Sequence, residues 1–221
     1  MAEINVLRIV SMPFDENTYV LYREGLASCV VVDPGLEPEK IVEVLQERKL
    51  EVVAILNTHG HSDHIAGNGT IKRLYPDAPL VIGYKDAEKL TDPDKNLSGP
   101  FGLPLVSPEE DETVKGGDTY SAAEIDFEVR ETPGHSIGHV IFVVKDGSRT
   151  IVLGGDVLFK GSIGRTDFPD GSFADLKRAI EEEIFTLPKD AIVLPGHGPA
   201  TTVGDEIAGN PFVGKPAGYK G

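Results

Sequence analysis

A chain of 221 residues with 40% hydrophobic and 26% charged residues has the size and composition of one globular domain, so we expect a single domain over residues 1–221. Its formal net charge of −15 disfavours phosphate backbones and anionic lipid, so neither nucleic acid nor a membrane is expected as a partner. The sequence shows no membrane-length apolar run and no signal peptide, and its only cysteine, Cys29, excludes an intramolecular disulfide, which together predict a cytoplasmic protein.

The first half of the chain, about residues 1–112, predicts a strand, a helix and a second strand. Short apolar runs typical of buried strands are residues 29–32 and 52–56. Between them Pro38 begins a helix, whose apolar face consists of Ile41, Val44 and Leu45. Residues 92–112 are rich in Pro, Gly, Asp and Glu and are expected to form a long loop.

The second half, about residues 113–205, follows the same coarse plan, although no sequence repeat supports an internal duplication. A strand with one buried face is predicted where polar residues alternate with Ile125, Phe127 and Val129. Two more buried strands are predicted at residues 151–153 and 192–194. A helix begins at the capping pair Ser172 and Asp175, and its apolar face consists of Phe173, Leu176, Ile180 and Ile184.

Each predicted strand leads within a few residues to a polar side chain that can bind a metal ion. These side chains are Asp33, His59, His135, Asp156 and His197. Rigid strands whose ends converge are how a scaffold fixes ligand geometry. We therefore expect the ends of these strands to form one site.

The densest group of candidate ligands is the segment His59-Gly-His-Ser-Asp-His64. Imidazole and carboxylate groups suit zinc, iron and manganese. A tight turn at Gly60 can direct His59 and His61 to one ion, and the next turn can direct Asp63 and His64 to a neighbouring ion. The alternative, a polar loop with chance histidines, is disfavoured by the further candidates elsewhere in the chain.

Three of those further candidates have local sequences that suit ligation. His135 follows the Pro-Gly turn of residues 133–134, and His197 lies between two turn-forming pairs. Asp156 follows a buried strand, and its two carboxylate oxygens can bridge two ions. A packed histidine or an ion-pair partner is the structural alternative for each. Two divalent ions would leave the site positively charged despite Asp63 and Asp156, so it would attract a carbonyl oxygen or an anion.

The ligand motif resembles that of the metallo-β-lactamase fold superfamily. Within this superfamily the chain is similar to short glyoxalase II-type, or hydroxyacylglutathione hydrolase-like, hydrolases in residues 58–65, 155–159, 161–169 and 196–202. The resemblance implies the α/β class and a four-layer αββα sandwich with the metal site at one edge of the sheets. It also implies that the C-terminal helical glutathione-binding domain of full-length glyoxalase II enzymes is missing.

The resemblance further implies two divalent metal ions, with zinc expected first and iron or manganese as alternatives. One ion would be held by His59, His61 and His135, and the other by Asp63, His64 and His197. Asp156 would bridge the two ions, and Asp63 and Asp156 would be the catalytic carboxylates. Asp33 and His139 would support the ligands without binding metal. Arg165 would anchor an anionic substrate or form an ion pair with Asp167 or Asp170.

These assignments predict hydrolysis of a thioester, S-lactoylglutathione or a similar acyl thioester, by metal-activated water. A thiol with a pKa near 8.5 departs readily as thiolate, whereas an amine leaving group needs a proton donor. The main alternative is a persulfide dioxygenase with a single iron, which also carries a Gly-Arg-Thr-Asp-Phe segment. A nuclease and a non-catalytic metal-binding module are weaker alternatives, because the surface is acidic and the ligand set is complete.

Overall fold

The computed structural model describes residues 2–100 and 102–221, which form two six-stranded sheets and one short hairpin. The strands of the first sheet lie in chain order: β1 (Ile4–Ser11), β2 (Glu16–Arg23), β3 (Ser28–Val32), β4 (Glu51–Asn57), β5 (Leu80–Gly83) and β6 (Glu112–Val114). Strands β1 to β3 pair antiparallel, and β3 to β6 pair parallel.

The second sheet has the order β14-β13-β10-β9-β8-β7. Its strands are β7 (Thr119–Ala122), β8 (Ile125–Glu131), β9 (Val140–Asp146), β10 (Arg149–Gly155), β13 (Ile192–Pro195) and β14 (Thr201–Thr202). The hairpin between them in sequence consists of β11 (Leu158–Phe159) and β12 (Ser162–Ile163). Strand β13 lies parallel to β10, so both end at the same edge of this sheet.

The helices are short, and α1 is the longest among the described residues. They are α1 (Pro38–Arg48), α2 (Ser62–Ile65), α3 (Asn68–Leu74), α4 (Phe173–Ala179) and α5 (Val203–Gly209). Helix α4 continues as a π-helical turn over Ile180–Ile184, and 3-10 turns form at Ala87–Leu90 and Lys215–Ala217. In the described part of the chain, no helix has the length and apolar character needed to cross a bilayer.

Alternate residues of the central strands face two different hydrophobic cores. In β3, Val30 and Val32 pack between the two sheets, whereas Cys29 and Val31 pack against the inner face of the α1 and α3 layer. Both faces of the strand are buried, and for this reason its sequence is a continuous apolar run.

The second sheet is built in the same way. In β9, Phe142 and Val144 belong to the core between the sheets, whereas Ile141 and Val143 pack with Leu176 of α4. The layers therefore follow the order helix, sheet, sheet, helix, which confirms the predicted α/β sandwich.

The strands predicted at 29–32, 52–56, 125–129, 151–153 and 192–194 all form, and Pro38 occupies the first turn of α1 as predicted. The predicted apolar face of the last helix is wrong at Phe173, which is 47% exposed because it is the first residue of α4, while Leu176, Ile180 and Ile184 are buried. The loop predicted over residues 92–112 is wrong at its last residue, because Glu112 begins β6 and pairs with Val81.

Candidate metal centre

The strand ends bring six of the seven predicted ligands together in two clusters of three. The first cluster, defined as His59, His61 and His135, has one ligand atom per residue, all within 4.8 Å of one another. Nδ1 of His61 and Nε2 of His135 are 2.9 Å apart. All three side chains are buried, although they come from the loops that follow β4 and β8.

The second cluster, defined as Asp63, His64 and His197, lies at the start of α2 and beyond β13. Nε2 of His64 and Nε2 of His197 are 3.3 Å apart. Oδ2 of Asp63 is 3.3 Å from Nε2 of His197 and 3.8 Å from Nε2 of His64. The three side chains thus point their donor atoms at one common position.

Asp156 lies between the two clusters. Its Oδ2 is 3.5 Å from Nε2 of His135 and 3.5 Å from Nε2 of His197, and its Oδ1 is 3.4 Å from Nε2 of His64. The carboxylate therefore contacts members of both clusters, which is the position that the sequence predicted for a bridging ligand.

The donor set fits divalent cations. Ligand atoms placed tetrahedrally about 2.1 Å from an ion stand about 3.4 Å apart, and the separations found here are similar. Nε2 of His59 and Oδ1 of Asp156 are buried without a hydrogen-bond partner, which is costly unless a ligand satisfies them. A Cβ atom at Gly196 would lie 2.3 Å from Oδ1 of Asp156 and 2.6 Å from Cε1 of His64, so glycine leaves the space that the site needs.

Burial and charge set the protonation of the metal-free site. Burial lowers the pKa of His59, His61 and His135, so the first cluster offers neutral imidazoles. Burial opposes ionisation of Asp156, but the neighbouring His64 outweighs it and holds the pKa of Asp156 below its usual range. Burial also opposes the charge on His64, but Asp63 and Asp156 raise its pKa. A cation that binds the second cluster therefore displaces a proton.

The second ring nitrogen of three ligands is fixed by the surrounding chain. Oδ2 of Asp33 is 3.1 Å from Nδ1 of His64, on the opposite side of the ring from the donor atom. The Nδ1 atoms of His135 and His197 each lie 2.8 Å from a backbone carbonyl oxygen, that of Arg165 and that of Phe14, respectively. Such contacts set the tautomer and the orientation of a ligating imidazole.

Asp33 could also join a group with His59 and His64. However, its two oxygens accept hydrogen bonds from the backbone N–H and the hydroxyl of Thr58, both at 2.7 Å, in addition to the contact with His64. Because both oxygens already accept hydrogen bonds, we assign Asp33 the role of orienting His64 rather than that of a metal ligand.

His139, the one histidine of the six that is not a predicted ligand, lies outside both clusters. Its Nε2 accepts the backbone N–H of Asp156 at 3.1 Å, and its Nδ1 is 3.0 Å from the hydroxyl of Thr132. Its ring stacks on that of His59 with centroids 4.8 Å apart. Both nitrogens are therefore engaged in holding the site.

Residues 12–197 match the family model described as the metallo-beta-lactamase superfamily. The chain belongs to this superfamily. Members of the metallo-β-lactamase superfamily are typically metal-dependent hydrolases, and the His and Asp clusters described above agree with divalent metal binding.

Three relatives in the metallo-β-lactamase superfamily cover nearly the whole chain. The hydroxyacylglutathione hydrolase GloC of Haemophilus influenzae is 30% identical over 95% of this chain and 98% of its own. The crystal structure of the BLEG-1 B3 metallo-beta-lactamase is 34% identical, with a TM-score of 0.89 over 95% of this chain and 99% of its own. A crystal structure of TTHA1623 in a di-iron-bound form is 32% identical, with a TM-score of 0.81 over 94% of this chain and 100% of its own.

Arg165 lies on the loop that follows the β11–β12 hairpin. Its guanidinium group forms two hydrogen bonds of 2.9 Å with Asp167, and both side chains are 67% exposed. The guanidinium also lies 4.7 Å from the ring centroid of Phe168, whose ring contacts those of His61 and His135. The structure thus contains the predicted ion pair with Asp167, while substrate binding by Arg165 stays a prediction.

A buried network around Asp86 and Lys89 contacts the loops of the first cluster and was not predicted from the sequence. Neither residue belongs to a recognisable motif. The only local signal was the presence of Gly60 and Gly138 beside the histidines, which marks places where other groups come close to the backbone.

Proposed function

We propose that the chain is a metal-dependent thioester hydrolase that acts on S-lactoylglutathione or a similar acyl thioester. This proposal rests on one observation: all six histidines are already engaged, either in the two clusters or in hydrogen bonds that support them. Five of them face the two clusters, and the sixth, His139, has both nitrogens engaged with Thr132 and the backbone of Asp156. No imidazole is left to protonate a leaving group.

A site of this kind favours a leaving group that departs without a proton. A thiol has a pKa near 8.5 and leaves as thiolate at neutral pH, whereas an amine must be protonated as it leaves. Tyr19 does not supply the proton, because its hydroxyl is buried and donates to the carbonyl oxygen of Pro195 at 2.9 Å. The GloC relative, named a hydroxyacylglutathione hydrolase, adds support for a thioester.

We further propose two divalent ions, one in each cluster, with zinc expected first and iron or manganese as alternatives. Bound ions of this type lower the pKa of water and polarise a carbonyl oxygen. His59, His61 and His135 would hold one ion, Asp63, His64 and His197 the other, and Asp156 would contact both. The di-iron-bound relative supports two ions but leaves their identity in this chain open to measurement.

The alternative of a persulfide dioxygenase with a single iron needs only two histidines and one aspartate. It gives His61, His64 and His197 no function, yet their donor atoms lie within 3.4 Å of other members of the set. This close approach favours the proposal with two ions. We also expect a small-molecule substrate, with neither nucleic acid nor a membrane as partner.

The test is a set of assays on one metal-loaded preparation. We would follow thiol release from S-lactoylglutathione, oxygen uptake with glutathione persulfide, and cleavage of a chromogenic cephalosporin. Thioester cleavage that exceeds the other two activities is expected. Oxygen uptake without thioester cleavage would replace the proposal with the dioxygenase, and faster cephalosporin cleavage would replace it with a lactamase.

A further inference from the structure

A network of charged and polar side chains lies beside the first cluster and has no part in metal ligation. It consists of Asp86, Lys89, Ser136 and Asp170, and we call it the Lys89 network. Asp86 and Ser136 are fully buried, Lys89 is 6% exposed and Asp170 is half-buried. A buried lysine of this kind is uncommon unless it is paired.

Asp86 joins the two loops that carry the first cluster. Its Oδ2 accepts the backbone N–H of Gly60, between two ligands, at 2.9 Å. Its Oδ1 accepts the backbone N–H of Gly138 at 2.8 Å and the hydroxyl of Ser136 at 2.6 Å. Ser136 directly follows His135, so one carboxylate holds the backbone between His59 and His61 and also the side chain next to His135.

The two glycines allow this close approach. A Cβ atom at Gly60 would lie 2.5 Å from Cβ of Lys89, and one at Gly138 would lie 2.3 Å from the backbone nitrogen of Asp86. Both distances are shorter than real Cβ contacts. Any residue larger than glycine at position 60 or 138 would therefore collide with Lys89 or Asp86.

Lys89 extends the network to the loop that carries Arg165 and Phe168. Its ammonium group donates to Oδ2 of Asp170 at 2.6 Å and to the hydroxyl of Ser136, and it lies 3.4 Å from Oδ1 of Asp86. Oδ2 of Asp170 also accepts the backbone N–H of Ile137 at 3.1 Å. Removing the cation would leave two carboxylates without their counter-charge, one of them fully buried.

The second cluster has different supports. Its side chains contact Asp33, Asp156 and the carbonyl oxygen of Phe14, and none of the hydrogen bonds of the Lys89 network reaches them. The two clusters thus share Asp156 but are held by separate parts of the chain.

We propose that Lys89 is a positioning residue that supports the first cluster selectively and also holds the 165–168 loop against it. It acts through Asp86 and Ser136 on the ligand loops and through Asp170 on the 165–168 loop. This inference rests on the proposed metal site, whereas it does not require that the substrate be a thioester.

Zinc content gives the first test. Wild type, Lys89→Met and Lys85→Met are loaded with Zn²⁺, desalted and analysed for zinc per chain. Lys85 is the matched control because it lies only four residues before Lys89 in the sequence and its ion pair, with Glu131, is at the surface. Lys89→Met is expected to hold about half the zinc of the wild type, and Lys85→Met the full amount. Wild-type zinc content in Lys89→Met would overturn the proposal.

A double variant shows which cluster is affected. His197→Ala impairs the second cluster, so Lys89→Met combined with His197→Ala is expected to retain almost no zinc. If the double variant keeps as much zinc as His197→Ala alone, then Lys89 does not support the first cluster and the proposal fails.

Asp170→Asn tests the second part of the proposal, that the network holds the 165–168 loop. This variant also keeps the proposal testable if Lys89→Met fails to fold. Trypsin cleaves the peptide bond that follows Arg165, and the rate of cleavage at this bond reports how often the loop opens. We expect cleavage about tenfold faster in Asp170→Asn, the factor associated with loss of a charge-assisted hydrogen bond, together with a higher KM and a less affected kcat for the thioester. An unchanged cleavage rate would overturn the loop assignment. If the wild type cleaves no thioester, the proposed function fails, while zinc content and proteolysis still decide this inference.

Discussion

At the scale of single residues, the convergence of side chains at the candidate metal centre was predictable where the sequence itself contains the motif. The His59–His64 segment, His135, Asp156 and His197 all converge as expected. The partners of their second ring nitrogens were not predictable, because two of them are backbone carbonyl oxygens. Phe14 lies 183 positions from His197 and Arg165 lies 30 positions from His135. Such contacts depend on how loops pass one another, which local sequence does not specify.

Asp156 and His139 give a contrast between a ligand and its support. Asp156→Ala is expected to lower metal occupancy in both clusters and to abolish activity, because its two oxygens face both. His139→Ala should retain metal but lose about 1–3 kcal/mol of stability, since it leaves the backbone N–H of Asp156 without its acceptor. Metal analysis and urea unfolding measure the two effects. Equal metal loss in both variants would show that our ligand assignment is wrong.

Cys29 is expected to be chemically inert in the folded protein. It is fully buried in β3, and burial raises the pKa of its thiol to about 12. Since the thiolate is the reactive form, an aromatic disulfide reagent at pH 8 should react far more slowly with native protein than with protein in guanidinium chloride. A native rate equal to the unfolded rate would mean that β3 opens readily.

At the scale of elements, strands that are buried on both faces were the easiest to predict. Strands β3, β4 and β10 are continuous apolar runs because alternate residues enter two cores. Strand β2 gives no such signal, although it is buried along most of its length, because it begins with Glu16, Asn17 and Thr18. Asn17 is buried there because its amide donates to the carbonyl oxygens of Pro195 and Gly198. Pro195 ends β13 of the other sheet and Gly198 lies in the segment that follows it, so neither partner can be identified from the local sequence of β2.

Helix α4 and the His135 loop are packed together at Gly134. A Cβ atom there would lie 2.3 Å from the backbone nitrogen of Leu176, and Gly134 has a φ of 130°. Gly134→Ala should therefore destabilise the protein by more than about 2 kcal/mol and reduce metal occupancy of the first cluster. The control is Gly147→Ala, since Gly147 also has a positive φ, 61°, but no atom within 4 Å of its Cβ position. Similar unfolding midpoints for the two variants would contradict this packing argument.

At the scale of the whole molecule, Asp146 ties the two sheets together at the edge of β1. Its Oδ2 accepts the backbone N–H of Ile4 at 3.1 Å and pairs with Arg149 at 2.5 Å. Burial opposes ionisation, but these two contacts lower the pKa of Asp146 below its usual value.

A depressed pKa in the folded state adds stability above the unfolded pKa of about 3.9. This contribution is lost as the pH falls through the folded pKa. Asp146→Asn should therefore cost about 1 kcal/mol at pH 7, and the difference from wild type should shrink below about pH 4. Urea unfolding across this range is the measurement, with the exposed Asp77→Asn as the control. A deficit that persists unchanged in acid would indicate that the carboxylate charge is not involved.

The metal centre should also couple the two halves of the fold. The His59–His64 segment follows β4 of the first sheet, whereas His135, Asp156 and His197 follow strands of the second. Ions bound by both sets stabilise the folded state by mass action, by about 2.7 kcal/mol for one site at a free concentration 100-fold above its Kd. For a chain of this length, chelation is expected to lower the Tm by roughly 5–10 °C.

The metal-free protein should remain folded, because the three hydrophobic cores contain none of the ligands. The measurement is calorimetry of the wild type in three states: with excess zinc, after chelation, and after zinc is restored. The control is Asp156→Ala, whose Tm should respond weakly to zinc. A wild-type Tm that does not change on chelation would contradict a centre shared by both sheets. Unfolding of the chelated protein at 25 °C would instead show that the cores alone do not hold the sandwich together.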